Sequence, residues 1–364
     1  MKILRNYILR EFFGPFIFSL SVLTFVMLLG SLVKLADLII TKGVSIVSVG
    51  KLFLYMIPFL LMYTLPIAIL SGTVMALGRL SSDNEMIAIR ASGINPFRLI
   101  SPILVLSFIF SLFLVILNDR IIPEIHYASR KTVTDIGIKN PAAALEEGTF
   151  INSFEKYVLF IYHIEQNKLS GVRIYEPQEN RPTRTIVAKR GEFITVPEKN
   201  IVKLKLMDGS SDEPDPQNPN RFYKLNFKTY FMNLNLLSAQ NKQKIDKKPK
   251  DMSIHELRTE IKKYISTGIK PNHLITEIHK KLSMAFSCFI FVLVGCPLAI
   301  IARRREKAIN FGISFLVVLV YYMLYLGFEA LSLQGIILPQ IGMWIANIVL
   351  GIVGIFLMVK LCVS

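Results

Sequence analysis

Six stretches of the chain are apolar at nearly every position: 12–33, 52–78, 99–117, 282–302, 309–331 and 341–359. A helix needs about 20 residues to cross the hydrocarbon core of a bilayer. Each run reaches that length with almost no interior charge, so the pattern predicts six membrane-spanning helices, three before and three after a long hydrophilic segment. Buried helices of a large soluble protein are the competing reading, and six such runs weigh against it. In the segment between the two sets, the pattern changes to short runs rich in β-branched and aromatic residues: "YVLFIYHI" (157–164), "GVRIYE" (171–176), "TRTIVAKRGEF" (183–193), "IVKLKLM" (201–207) and "RFYKLNFKTYFMNL" (221–234). Apolar and polar residues alternate at every step in "VKLKL", the period of a half-buried strand. Turn residues at 166–167, 177, 197–200 and 208–220 separate the runs, so this segment predicts an antiparallel sandwich or open barrel.

After a basic linker at 241–251, "SIHELRTEIKKY" carries Ser253 and Glu256 in the S-x-x-E spacing of a capping box. An amphipathic helix follows, ended by Gly268, and "PNHLITEIHKKL" leads into the fourth span. The expected organisation is therefore an α-helical membrane protein with an inserted all-β, β-jellyroll-like domain. Residues 1–122 hold spans one to three, 123–250 the β domain, 251–281 a helical connector and 282–364 spans four to six. A second S-x-x-E box falls in the loop between the second and third spans, "SSDNEMIAIRASGINP" (81–96). Ser82 and Glu85 predict a helix over 82–92 with an apolar edge of Met86, Ile87 and Ile89. Arg90 follows, Gly93 is a natural stop, and Asn95-Pro96 opens the next helix. Such a helix either lies on the membrane surface or enters a partner's groove.

Charge orients the spans. Eleven Lys and Arg flank them on the side of the N-terminus and three on the other, which puts both termini in the cytoplasm. Residues 123–281 are then extracytoplasmic, with 27 basic and 19 acidic residues. That excess, within a net charge of +16, suits anionic lipid or glycolipid rather than nucleic acid. The first span follows Lys2, Arg5 and Arg10 like a signal peptide, but its length and the lack of an A-x-A site predict an uncleaved anchor. Cys288, Cys296 and Cys362 offer neither a disulfide framework nor metal spacing. There is no G-x-x-x-x-G-K-[ST], H-E-x-x-H or G-x-S-x-G, and the five histidines are scattered. No catalytic or metal site is expected.

Charges do recur at one depth. Lys34 and Asp37 close the first span, Asp119, Arg120 and Glu124 follow the third, and Glu329 lies near the outer end of the fifth. They read either as snorkelling flanks or as a site for a charged headgroup.

"LGRLSSDNEMIAIRASGINPFRL" resembles the first cytoplasmic loop of the lipopolysaccharide-export permeases of the LptF/LptG type. "LRNYILREF", "NPAAALEEGTF", "GCPLAIIARRREKAINFGIS" and "MWIAN" agree in order over essentially the whole chain. The resemblance implies a non-catalytic permease subunit of an ATP-binding-cassette complex in the bacterial inner membrane. Such a subunit pairs with a related permease above two copies of an LptB-type cytoplasmic ATPase, which alone binds ATP. Lipopolysaccharide would leave the outer leaflet of that membrane and pass along β-jellyroll domains to an LptC-type periplasmic bridge. It further implies a coupling helix with Ser82, Asp83, Glu85, Met86, Ile89, Arg90 and Gly93. Lys34 matches a basic position associated with substrate phosphates, with Asp37, Arg120 and Glu329 as further headgroup candidates. Leu159, Ile161, Ile174 and Leu204 would line the acyl-chain path. Two rival classes are a secondary transporter, with Pro58 and Pro66 breaking the second span, and a membrane-anchored scaffold or sensor.

Overall fold

The computed structural model describes residues 2–41, 43–139, 145, 147–154, 157–165, 168–178, 181–196, 201–214, 222–234, 247–302 and 307–363. The expected turns at 166–167 and 197–200, the later part of the one expected at 208–220, linker residues 241–246, most of the "NPAAALEE" motif and the basic run 303–306 lie outside them; residues 208–214 and Pro177, expected as turns, instead continue strands through their pairing with neighbours. The chain divides into two compact units: Met1–Gly30 with Tyr55–His126 and Lys247–Ser364, and Ser31–Leu54 with Tyr127–Asp246.

Among the described residues, six continuous helical segments are long and apolar enough to cross a membrane. They are α1 (Lys2–Ile40), α2 (Ile46–Ser82), α4 (Pro96–Ile116) continued by α5 (Ile122–Lys139), α7 (Asn272–Ala302), α8 (Lys307–Leu333) and α9 (Pro339–Val363). Two short helices join them: α3 (Glu85–Ala91) and α6 (Ile254–Ser266). Each span outruns the apolar stretch that announced it, because polar flanks continue the helix once an apolar segment has nucleated it. The third does so most, passing through a π-turn at Leu117–Ile121 into α5. Residues 123–139, grouped on sequence with the β domain, are thus helical. Pro58 and Pro66 sit inside an unbroken α2; in a packed bundle the freed carbonyls find other partners.

In the first unit α7 is the central element. Its Met284, Ala285, Cys288, Phe291, Val292 and Cys296 are buried, and Cys288 and Cys296 are free thiols. Gly72 of α2 admits the closest approach of α1, for a Cβ there would stand 2.9 Å from the Phe16 Cα, the small-residue packing that lipid-embedded helices favour. By contrast, α1 and α8 present exposed apolar residues along their length, among them Phe18, Phe25, Phe315 and Met323.

The second unit contains a six-stranded antiparallel sheet: β1 (Phe150–Phe154), β2 (Tyr157–Glu165), β3 (Lys168–Gln178), β4 (Arg181–Val196), β5 (Ile201–Pro214) and β6 (Phe222–Leu234). Among the described residues the strands pair in plain sequence order, a meander. The sequence pattern located β2 to β6 and missed β1. Closure of the interior comes from a crease. Buried residues recur every second position along each half-strand and then change parity: Leu159 and Ile161 then Ile164 in β2, Leu169 then Val172 and Ile174 in β3, Ile186 and Ala188 then Gly191 and Phe193 in β4. β5 does the same, with Leu204 and Leu206 followed by Ser211. In a flat sheet such a change would turn half of these residues outward. The change of parity falls on one line of the register, between the row Ile161–Val172–Ala188–Gly209 and the row Ile164–Leu169–Gly191–Leu206. On that line Gly171 (φ 65°) and Asp208 (φ 53°) adopt left-handed backbone, so the sheet bends there and both halves keep their apolar side inward.

Candidate functional site

The first candidate lies where the start of α1, the ends of α2, α7 and α9, and the helix α3 meet. Here the structure departs from the expected capping box. Ser82 is still part of α2 and its hydroxyl donates to the Gly78 carbonyl at 2.8 Å. The cap position of α3 is Asn84, held in left-handed backbone with no side-chain cap bond. The helix therefore runs over Glu85–Ala91 rather than 82–92. Glu85 is not a cap: its carboxylate accepts a hydrogen bond from the Tyr7 hydroxyl of α1 at 2.8 Å. Arg79 donates to the same Tyr7 oxygen at 2.9 Å and pairs with Glu11 at 3.0 Å and Glu85 at 4.0 Å. A local side-chain cap lost to a tertiary partner, because the tyrosine and Arg79 together give the carboxylate charge-assisted contacts.

Two further contacts fasten this helix. Met86 is 3% exposed and joins the core of the unit. Arg90 donates to the Leu361 carbonyl at 3.0 Å, while Ser81 just before the turn donates to the Ile300 carbonyl at 3.0 Å. The stop forms as expected: Gly93 has φ 76° and Ile94 N–H returns to the Ile89 carbonyl, and Asn95 accepts from Phe97 N–H to begin α4. Outward, Asp83 and Ile87 are exposed, and a pocket of about 270 Å³ opens beside Met86, Ile87, Arg90, Ile300 and Lys360.

The second candidate lies at the far end of the same unit. Lys280 of α7 and Glu329 of α8 form an ion pair, with side chains 18% and 16% exposed. Glu277 and Tyr63 are their electrostatic neighbours. Beside them Lys281 donates to the Met252 carbonyl. Asp119, on the π-turn, accepts from Ile254 N–H at 2.7 Å and so satisfies the first turn of α6. His126 meets Asp251 at 2.6 Å. The α6 capping box forms as the sequence implied: Ser253 accepts from Glu256 N–H, and Glu256 accepts from Ser253 N–H. Partial burial raises the Glu256 pKa, but the Lys247 ammonium and the Ser253 amide outweigh it and leave the carboxyl below its ordinary range. No cluster able to hold a metal ion occurs among the described residues.

A sequence profile described as lipopolysaccharide export system permease LptF/LptG matches residues 6–360. The chain belongs to the LptF/LptG family. The lipopolysaccharide export system permease protein LptF of Escherichia coli is 20% identical over 351 residues, covering 95% of this chain and 92% of that one. An uncharacterised protein of Rickettsia prowazekii is 22% identical over 306 residues, covering 83% and 82% of the two chains.

Within this LptF/LptG permease the anticipated residues fall into four groups. Glu85, Met86, Ile89 and Arg90 converge on one helix, with Ser82, Asp83 and Gly93 at its borders. Lys34 and Asp37 share an exposed stretch of α1 in the second unit, and Arg120 is exposed on the π-turn of the first. Glu329 is instead paired with Lys280, a residue the sequence reading passed over because it lies two positions before the apolar run at 282. Leu159, Ile161, Ile174 and Leu204 are all fully buried in one apolar cluster of the sheet. Tyr7, Arg79 and Lys280 were missed, and the only signal for them was polarity beside a span.

Proposed function

We propose that this permease is the membrane half of an ATP-driven extractor: it takes lipopolysaccharide from the outer leaflet of the inner membrane and passes it to a periplasmic bridge, while a separate cytoplasmic ATPase dimer supplies the work. On this reading a related permease completes the membrane unit, both termini and α3 face the cytoplasm, and the sheet is periplasmic. The observation that carries the reading is the seating of α3. A helix of seven residues has little stability alone, yet this one is tied to α1, α2 and α9 by Tyr7, Arg79 and Arg90, with Met86 driven into the core. Its outer face stays free, with Ile87 46% exposed. A handle gripped by three spans transmits a push to all of them.

Lys34 and Arg120, each exposed in its own unit, offer positive charge to headgroup phosphates, and the creased sheet offers an apolar interior to acyl chains. A secondary transporter would need interrupted spans, and α2 is unbroken. The test is Ile87→Asp in the full-length chain, co-expressed with a related permease and the cytoplasmic ATPase and purified in mild detergent. The chain should insert and remain folded but lose the co-purifying ATPase. An ATPase retained at wild-type ratio, with normal lipid release, would show that α3 is not the docking face.

A further inference from the structure

Lys280 and Glu329 join two helices that otherwise meet through a seam with an unusual surface. Below Glu329 on α8 stand Tyr325 and Tyr322, one and two turns on. Neither hydroxyl has a hydrogen-bond partner among the described residues, and neither has the side-chain oxygen of Asn347 on α9. Tyr325 and Asn347 are 4% and 3% exposed. Buried polar groups without partners are costly, and each would gain a bond if water entered. Water admitted beside the two tyrosines would therefore find bonding partners there. Above them the Lys280–Glu329 ion pair bridges the two helices. Separating Lys280 from Glu329 in this half-buried setting leaves a bare ammonium, unless another anion arrives to replace the carboxylate.

We propose that Lys280 is a counter-ion exchange site: Glu329 holds it in the arrangement described here, and a phosphate oxygen of a phosphorylated glycolipid headgroup takes the place of Glu329 when the outer half of α8 moves away. The proposal rests on the reading that the chain handles lipopolysaccharide, and it names a phosphate contact distinct from Lys34. Glu329 is then a competitor of the ligand rather than part of its site. The permanently paired alternative, a strut, makes the opposite forecast for a neutral residue at 329. No covalent step is involved; one ionic contact replaces another while water fills the seam beside Tyr322 and Tyr325.

The experiment measures binding of bisphosphorylated lipid A, of the same lipid A enzymatically dephosphorylated, and of inorganic phosphate to the purified full-length chain. Native mass spectrometry in detergent reads the occupancy. Glu329→Gln should bind bisphosphorylated lipid A about tenfold more tightly than wild type, and Lys280→Gln about tenfold more weakly. Lys280→Arg should stay near wild type, and the dephosphorylated lipid should not distinguish any of them. Glu329→Asp, which loosens the pair without neutralising it, should fall between wild type and Glu329→Gln and serves if the latter misfolds. Weakened binding in both Glu329 variants would make the pair a strut and overturn the exchange. Inorganic phosphate binding with the same order of variants would overturn the assignment to a lipid headgroup. A wild-type chain indifferent to both forms of lipid A would overturn the lipopolysaccharide reading itself. A preference for the phosphorylated form that ignores residues 280 and 329 would overturn only the exchange.

Discussion

Replacing Met86 with alanine should loosen α3 without unfolding the bundle, and the size of the effect follows from how the helix is held. Besides the loose Arg79–Glu85 pair at 4.0 Å, three contacts seat it. The Tyr7–Glu85 and Arg90–Leu361 bonds are charge-assisted but partly exposed, so each contributes about 1–2 kcal/mol. Met86, 3% exposed, contributes about 2–3 kcal/mol, since truncating a buried methionine costs at least that much when the site cannot collapse. The substitution therefore removes about half of what docks the helix. A loss of 2 kcal/mol raises the population of the undocked helix about thirtyfold. Hydrogen–deuterium exchange on the full-length chain reads this directly: amides 85–91 should exchange about thirtyfold faster while those of α4 stay unchanged. In the assembled transporter the same variant should hydrolyse ATP yet release less lipid per ATP. Unchanged exchange over 85–91 would refute the energetic account. Faster exchange with normal lipid release per ATP would refute the idea that a rigid α3 carries the force.

Three other outcomes follow from the same structure. Lys34→Glu should lower lipid transfer at least tenfold, the loss of a charge-assisted contact worth roughly 1.5–3 kcal/mol, while leaving the thermal midpoint unchanged; near-normal transfer would remove Lys34 from the substrate path. Gly209→Ala should destabilise the sheet by about 1–3 kcal/mol, because its Cβ would stand 2.4 Å from the Val187 carbonyl oxygen and 2.5 Å from the Phe227 ring; amide exchange in β4 and β5 at the wild-type rate would contradict this. The lowered pKa of Glu256 means that its contribution to α6 is present above the unfolded value near 4.5 and is lost as pH falls through the lower folded value. The protection of α6 amides, measured against their intrinsic exchange rates, should accordingly fall in acid below about pH 4.5 in wild type, and a Glu256→Ala variant that still showed that fall would assign it to another group.

The spans were legible because a long apolar run in a membrane protein has only one common structure. The capping box at Ser253 and the stop at Gly93 were legible because both are completed within a few residues. The box at Ser82 has the same spacing and did not form, since Tyr7 lies 78 positions from Glu85 and no local pattern records that competition. Lys280 was hidden for a related reason: its importance lies in α8, 49 positions on, and hydropathy alone placed it outside the span. In the β segment, strand runs were visible through their alternation. The crease was not, since a change of parity in one strand looks like an ordinary irregularity and gains meaning only when neighbouring strands change on the same line.

That line runs across the strands rather than along them, and this decides how the domain can breathe. A sandwich that admits a guest between two sheets must part them, and a barrel must break a row of hydrogen bonds to widen. A meander folded across its strands behaves like a book with its spine at Gly171 and Asp208. The ladder bonds run along the spine rather than across it, with the row His163–Ser170–Arg190–Met207 on the spine itself, so a change in the angle between covers does not separate one strand from the next. On the proposed function, acyl chains of different number and length would be met by different openings of one hinge, with no strand surrendering a partner.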